Sequence, residues 1–185
     1  GYGFAQGANA AAAEMGKTVE LNYTWQYGNS YSPSSELQAL VNGWYNNGTE
    51  VIFCCGGNMY QSVAQAAAEN DAYMVGVDTD QSPLSETIIT SAMKGLSEAV
   101  STSLSDIEAG DWSDIAASNG NFGLEDGDYI GLPTDEDSWN FETFTTDEYE
   151  ALKEKIKSGE ITVDNSSDDA TKPTVSEFTT VNYIQ

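Results

Sequence analysis

Two carboxylates two residues apart, Asp78 and Asp80, follow the apolar run Tyr73 to Val77 and precede Gln81. Such a pair can accept hydrogen bonds from a vicinal diol, the group that a ribose or another sugar presents. Lys94 stands isolated among uncharged residues, where it can donate to ligand oxygens or act as counter-charge to a pocket aspartate. Tyr31 offers a flat ring able to stack on a base, and Gly56 and Gly57 can let a ligand ring approach the main chain closely. Each feature also has a plainer reading. The aspartates can be solvated strand-end acids, Lys94 a solvated residue at a helix start, Tyr31 ordinary loop packing, and the two glycines a simple turn.

Composition removes many other chemistries. The 185 residues hold 30 acidic side chains and 6 basic ones, a net charge of −24. All six bases are lysines, and there is no histidine. Nucleic acid is held through Lys and Arg by counterion release, so so acidic a chain is not expected to bind it, nor anionic lipid. Without His or Arg there is no His-assisted nucleophile, no His-ligated zinc and no guanidinium fork. Asp78 and Asp80 are the only candidates for an acid and base pair, yet both come from one short loop, whereas glycosidase carboxylates flank the scissile bond about 5 Å or more apart. The segment starting at Asp78 opens like a calcium loop, but its sixth position is Pro83 and its twelfth Ile89, where that motif needs Gly and Glu. The acidic run Asp135 to Asp137 reads as solvated, and neither a metal nor a cofactor is expected. Cys54 and Cys55 are adjacent, too strained to bridge, and are expected reduced and buried.

The elements that must position these residues show in the periodicity. Phe4, Ala8, Ala11, Ala12 and Met15 follow helical spacing up to Gly16, and Val19 to Trp25 reads as a strand. Ser35 with Gln38 predicts a capping box, after which Leu37, Leu40, Val41, Trp44 and Tyr45 make one apolar stripe. Val51 to Cys55 is a short apolar strand, Met59 to Asn70 a helix, and Tyr73 to Val77 another strand. Ile88 to Thr90 predicts a short strand, and Leu96, Ala99, Val100, Leu104 and Ile107 a helix ending at Gly110. Strands alternating with helices at this spacing argue for parallel βαβ units and an α/β fold, a parallel sheet flanked by helices. In such sheets ligands bind beyond the carboxyl ends of the strands, which places Tyr31, Gly56, Gly57, Asp78, Asp80 and Gln81 on one predicted rim. Beyond Asp111 the order weakens. Tyr129 to Leu132 predicts a strand, residues 133–144 an acidic aromatic loop, and Thr145 with Glu148 the cap of a late helix through Ile156. Residues 164–175 are polar and expected to be mobile, and Phe178 to Ile184 can return as an edge strand. No run approaches the ~20 apolar residues of a membrane span.

Four blocks in order carry a resemblance: W44-Y-N-N-G-T-E-V-I-F-C-C-G-G57, S62-V-A-Q-A-A-A-E69, V75-G-V-D-T-D-Q81 and I89-T-S-A-M-K94. They resemble the basic membrane protein family, the substrate-binding lipoproteins of ABC transporters also called the purine nucleoside receptor A type. The likeness covers roughly residues 1–132. It implies one lobe of a type I periplasmic-binding-protein clamshell, with the amino-terminal lobe, and the strand ahead of the first helix, missing from this chain. It also implies a purine nucleoside ligand, with Tyr31 matching a stacking Phe, Gly57 a close-approach glycine, Asp78 the ribose carboxylate and Lys94 the lysine on the sugar side. Tyr in place of Phe keeps the ring. The Asp-Pro that many branches carry around Asn29 to Pro33 is absent.

The sequence is therefore expected to hold a ligand-binding α/β lobe over residues 1–132 and an acidic carboxyl-terminal region over 133–185. The expected function is the extracytoplasmic solute-binding component of an ABC importer, not an enzyme. Its partners would be a nucleoside or similar small polar ligand and an ABC permease, and a lipidated cysteine would anchor it to the outer face of the cell membrane. A sensor or interaction domain built on the same lobe and a carboxylate-based hydrolase are the alternatives.

Overall fold

The computed structural model describes residues 1–28, 30–117, 120–165 and 172–184. Half of the expected mobile segment 164–175, residues 166–171, thus lies outside the described residues, as does Asn29. The chain divides into two compact units, Gly1–Met74 with Thr162–Gln185, and Val75–Ile161.

The first unit opens with helix α1 (Tyr2–Met15), which stops at Gly16 in the left-handed conformation, φ 61°. Its buried residues are Ala5 and Ala12, while Phe4 and Met15 are exposed. Ala12 of the expected stripe is buried and Ala8 half-buried, but the buried face is shifted toward Ala5, because an alanine helix gives little contrast in hydrophobicity from which to read a direction. Strand β1 (Val19–Thr24) pairs in parallel with β6 (Thr179–Ile184), in register from Val19 with Thr179 to Thr24 with Ile184. The predicted edge strand therefore forms.

Helix α2 (Ser35–Asn46) buries Leu37, Val41 and Tyr45, each contributing about 1.5–3 kcal/mol on transfer from water. Its N-cap is Ser34, whose hydroxyl accepts from the Leu37 N–H at 3.1 Å. The capping box expected from Ser35 is corrected by one residue, and Leu37 in the third position cannot reach back. Ser34 is also bound to helix α3 (Tyr60–Glu69): its N–H donates to Ser62 Oγ and its carbonyl accepts from the same hydroxyl, both at 3.0 Å. Buried Ala64, Ala66 and Ala67 leave α3 a flat face. The Tyr45 hydroxyl donates to the Tyr73 carbonyl at 2.8 Å, tying α2 to the start of strand β3 (Tyr73–Asp78). Strand β2 is confined to Val51–Phe53. Cys54 beyond it is buried and Cys55 exposed, so the expectation that both are buried is corrected for Cys55.

In the second unit β3 continues beside strand β4 (Ile88–Lys94), which has β5 on its other side. Strand β5 is only Ile130–Gly131, and it is antiparallel to β4, with Met93 opposite Gly131 and Lys94 opposite Ile130. This antiparallel edge departs from an all-parallel sheet. The Gly95 N–H donates to the Tyr129 carbonyl at 2.6 Å, and a Cβ at Gly95 would fall 2.0 Å from the Asp128 carbonyl oxygen. Only glycine permits that approach. Helix α4 (Leu96–Ala109) follows, then the single turn α5 (Trp112–Ile115) and helix α6 (Thr146–Lys157). The capping box of Thr145 and Glu148 forms as expected. Tyr149 is buried and its hydroxyl accepts from the Leu132 N–H at 2.9 Å. Trp139 packs on Phe141, Phe144 and Tyr149 with ring centroids 5.0, 5.8 and 5.7 Å away, and its indole N–H donates to the Phe144 carbonyl at 2.7 Å. The acidic aromatic loop is thereby pinned to α6.

Candidate functional site

In the first unit the loop after β1 and the turn after β2 meet. The Asn58 N–H donates to the Tyr31 carbonyl at 3.0 Å. Gly57 has φ 43°, and a Cβ there would lie 3.1 Å from the Tyr31 oxygen and 3.3 Å from Tyr31 Cβ. At Gly56 a Cβ would come within 2.6 Å of Met59 Sδ. Gly57 is thus required by its backbone conformation and the Tyr31 main chain, whereas at Gly56 the one neighbour closer than 3 Å is a flexible methionine side chain. Tyr31 itself has φ 50°, sparsely populated for an aromatic residue, and its side chain is 59% exposed. The ring stands in solvent on a backbone fixed by the turn beneath it.

In the second unit the four predicted polar residues separate into two roles. Asp78 ends β3 with φ 71°. Its Oδ1 is buried and lies 2.5 Å from Lys94 Nζ in an ion pair. The Asp78 side chain is nevertheless 40% exposed, so its accessible edge is the one carrying Oδ2. Lys94 is the last residue of β4, not the helix-start lysine of the plainer sequence reading, because β4 runs four residues beyond the predicted end at Thr90.

Asp80 is committed internally. Oδ1 accepts from the Ser82 N–H at 3.0 Å and the Ser82 hydroxyl at 2.6 Å, and Oδ2 accepts from the Ser138 hydroxyl at 2.6 Å. Partial burial alone would raise its pKa, but the Ser138 and Ser82 hydrogen bonds outweigh it and hold the carboxyl below the usual value. Gln81 is buried. Its Oε1 accepts from the Val77 N–H at 3.1 Å and its N–H donates to Ser91 Oγ at 3.0 Å. A Cβ on Gly76 would sit 2.5 Å from that Oε1, so glycine makes room for the fold-back. Ser82, Ser91 and Ser138 went unnoticed in the sequence. An Asp two residues before a Ser is an Asx-turn signal that identifies Ser82, whereas Ser138, 58 residues from Asp80, leaves no local trace. Among the described residues no cluster of acidic or cysteine side chains could hold a metal ion, and no helix is long and apolar enough to cross a membrane.

The family described as ABC transporter substrate-binding protein, PnrA-like (Bmp), matches residues 1–167. The chain belongs to this family. Basic membrane protein B of Borrelia garinii subsp. bavariensis is 32% identical over 100 residues, which are 52% of this chain and 29% of that protein. Among solved structures, a transcriptional activator of the comK gene from Bacillus halodurans is similar with a TM-score of 0.56 at 18% identity, over 85% of this chain and 62% of that one. An ABC transporter system solute-binding protein from Aeropyrum pernix K1 is similar with a TM-score of 0.50 at 19% identity, over 88% and 62%. This chain therefore spans less than two thirds of each of these relatives. Membership in the Bmp family agrees with the resemblance read from the four sequence blocks, and the structural likenesses agree with a periplasmic-binding-protein-like lobe.

Proposed function

We propose that this protein is the solute-binding component of an ABC importer and that its ligand is a nucleoside, with a purine preferred. The observation that carries the reading is the Asp78–Lys94 pair. One carboxylate oxygen is held against the ammonium and the other edge is open, the arrangement needed to accept hydrogen bonds from a ribose diol. Lys94, 62% exposed, has donors left for a sugar oxygen. The family resemblance, and not the geometry, assigns Tyr31, whose ring is exposed, to stacking on the base. Asp80, Gln81, Gly56 and Gly57 hold the loops in shape without touching ligand. The protein works outside the cytoplasm beside a permease, anchored by a lipid, and a further lobe of the same protein completes its grip.

Titration calorimetry of the whole gene product with guanosine, adenosine, inosine and ribose tests this. Micromolar or tighter nucleoside binding that is lost in Asp78→Ala and kept in Asp80→Asn is expected. A folded protein that binds none of the four refutes the nucleoside assignment. Release of free base or ribose during the titration would favour the hydrolase instead.

A further inference from the structure

Three Asn-Gly steps occur in the chain, Asn42–Gly43, Asn47–Gly48 and Asn119–Gly120. At such a step a side-chain amide is readily lost, because glycine has no side chain to shield its main-chain nitrogen from the asparagine Cγ. That nitrogen, deprotonated by base, attacks Cγ and ammonia leaves, which closes a succinimide ring. Water then opens the ring at one carbonyl or the other, giving aspartate, or isoaspartate with its main chain running through Cβ. Nothing is oxidised or reduced, and water is the only co-reactant.

The fold treats these steps differently. Asn42 lies inside α2 and is half-buried; its Nδ2 donates to Glu69 Oε2 at 3.2 Å and its Oδ1 accepts from Asn70 Nδ2 at 2.7 Å. Asn119 lies outside the described residues. Asn47 caps the carboxyl end of α2, and both it and Gly48 are exposed. Ring closure needs Cβ and the glycine nitrogen nearly eclipsed about the Asn47 Cα–C bond, and the observed ψ of 12° turns that nitrogen away. Three hydrogen bonds hold it there. Asn47 Nδ2 donates to the Gly43 carbonyl at 2.8 Å, the Gly48 N–H to the Tyr45 carbonyl at 3.0 Å, and the Thr49 N–H to the Trp44 carbonyl at 3.1 Å. All three acceptors belong to the last turn of α2, and helix ends open more readily than helix interiors. Tyr45 anchors that turn from outside the helix, since its side chain is buried and its hydroxyl donates to the Tyr73 carbonyl at 2.8 Å.

We propose that Asn47–Gly48 is a site of spontaneous covalent modification, converted to aspartate and isoaspartate when the last turn of α2 opens and protected while it is closed. The proposal is independent of the nucleoside reading. Its product opposes reclosure. The new carboxylate lacks the N–H that bound the Gly43 carbonyl, and it stands at the negative end of the helix dipole, where the last turn has no basic residue. Isoaspartate also lengthens the main chain by one carbon ahead of β2, whose entry is fixed by the Glu50 carbonyl accepting from the Tyr73 N–H at 3.0 Å.

Peptide mapping by mass spectrometry tests this on the whole gene product, incubated in mildly alkaline buffer either folded or unfolded in urea. Conversion at Asn47 should be at least about tenfold slower in the folded protein than in urea, yet faster than at Asn42. Tyr45→Phe, which removes the anchor and keeps the ring, should speed conversion in the folded protein about threefold or more and leave the rate in urea unchanged. If that variant does not fold, hydrogen exchange of the wild-type Gly48 amide is measured instead, and its slowing relative to urea should match the slowing of the conversion. Equal rates at Asn47 in folded and unfolded protein overturn the proposal. So does a folded Tyr45→Phe variant that converts no faster than wild type, or a folded protein that converts Asn42 ahead of Asn47 or leaves Asn47 intact.

Discussion

Replacing Asp80 with Ala removes the acceptor of three hydrogen bonds, from the Ser82 N–H at 3.0 Å and the Ser82 and Ser138 hydroxyls at 2.6 Å each. Such bonds contribute about 0.5–1.5 kcal/mol apiece, and more to a charged acceptor. Asp80 is partly exposed, which favours the lower scale, whereas Ser138 is only 6% exposed and would be left without its acceptor. A loss of about 2–3 kcal/mol is expected, a fall in Tm of roughly 5–10 °C for a chain of this size. The pH dependence has a definite sign. The folded pKa of Asp80 is lowered, beneath the ~3.9 of an unfolded Asp. Its contribution is therefore complete above about pH 4 and disappears as pH falls through the lower folded value. Urea unfolding at pH 7 should separate wild type from Asp80→Ala, and the two curves should converge in stronger acid. If Asp80→Ala unfolds within about 0.5 kcal/mol of wild type at pH 7 while nucleoside binding disappears, the division of roles between the two aspartates is wrong, and Asp80 is a ligand group.

Ser34→Ala should cost about 1 kcal/mol in the same assay, the usual loss of an N-cap, with an addition for its bond to Ser62. Ser35→Ala, one residue inside the helix and exposed, should lie within about 0.5 kcal/mol of wild type, and the reverse order would restore the cap predicted from sequence. Burial first, and then the neighbouring Cys55, push the Cys54 thiol up to about 12, so at pH 8 a disulfide reagent should titrate Cys55 promptly and Cys54 only on unfolding. Two fast thiols in the folded protein would contradict that burial.

Legibility in the sequence followed contrast between residue types. The stripe of α2 alternates large apolar with polar residues, and Leu37, Val41 and Tyr45 are buried as the spacing requires. In α1 the alanines carry no such contrast, and the buried face went to Ala5 and Ala12. The extent of β4 was underestimated because Ser91 and Lys94 do not resemble strand residues, although Ser91 is fully buried as an acceptor for Gln81. For α4 the period of 3.6 was correct, yet Leu96, Val100, Leu104 and Ile107 are 57, 59, 60 and 47% exposed. Periodicity reports that a helix has an apolar face, but it carries no information about what covers it. At the candidate site the residue types in V-D-T-D-Q were legible, and their division of labour was not. That division depends on Ser138, Ser91 and Lys94, all supplied by later parts of the chain.

The same division explains why the loop needs so many polar residues. A non-glycine residue in the left-handed region, as Asp78 is at φ 71°, costs of order 1–3 kcal/mol and persists only where its surroundings over-determine it. Three anchors surround it. Gln81 folds back onto the Val77 N–H immediately before Asp78, Asp80 fastens the loop to Ser82 and Ser138 immediately after, and Lys94 holds Oδ1 from the adjacent strand. The strained backbone turns one carboxylate edge outward, and the anchors keep it there before any ligand arrives. A site fixed in this way loses little conformational freedom on binding. On this argument Gln81→Ala should weaken ligand binding through Asp78, because Gln81 is buried and bonded to Val77 and Ser91, and Asp78→Gly should relieve the backbone and raise stability while abolishing binding. A stability gain with binding lost separates strain held for function from strain without a use.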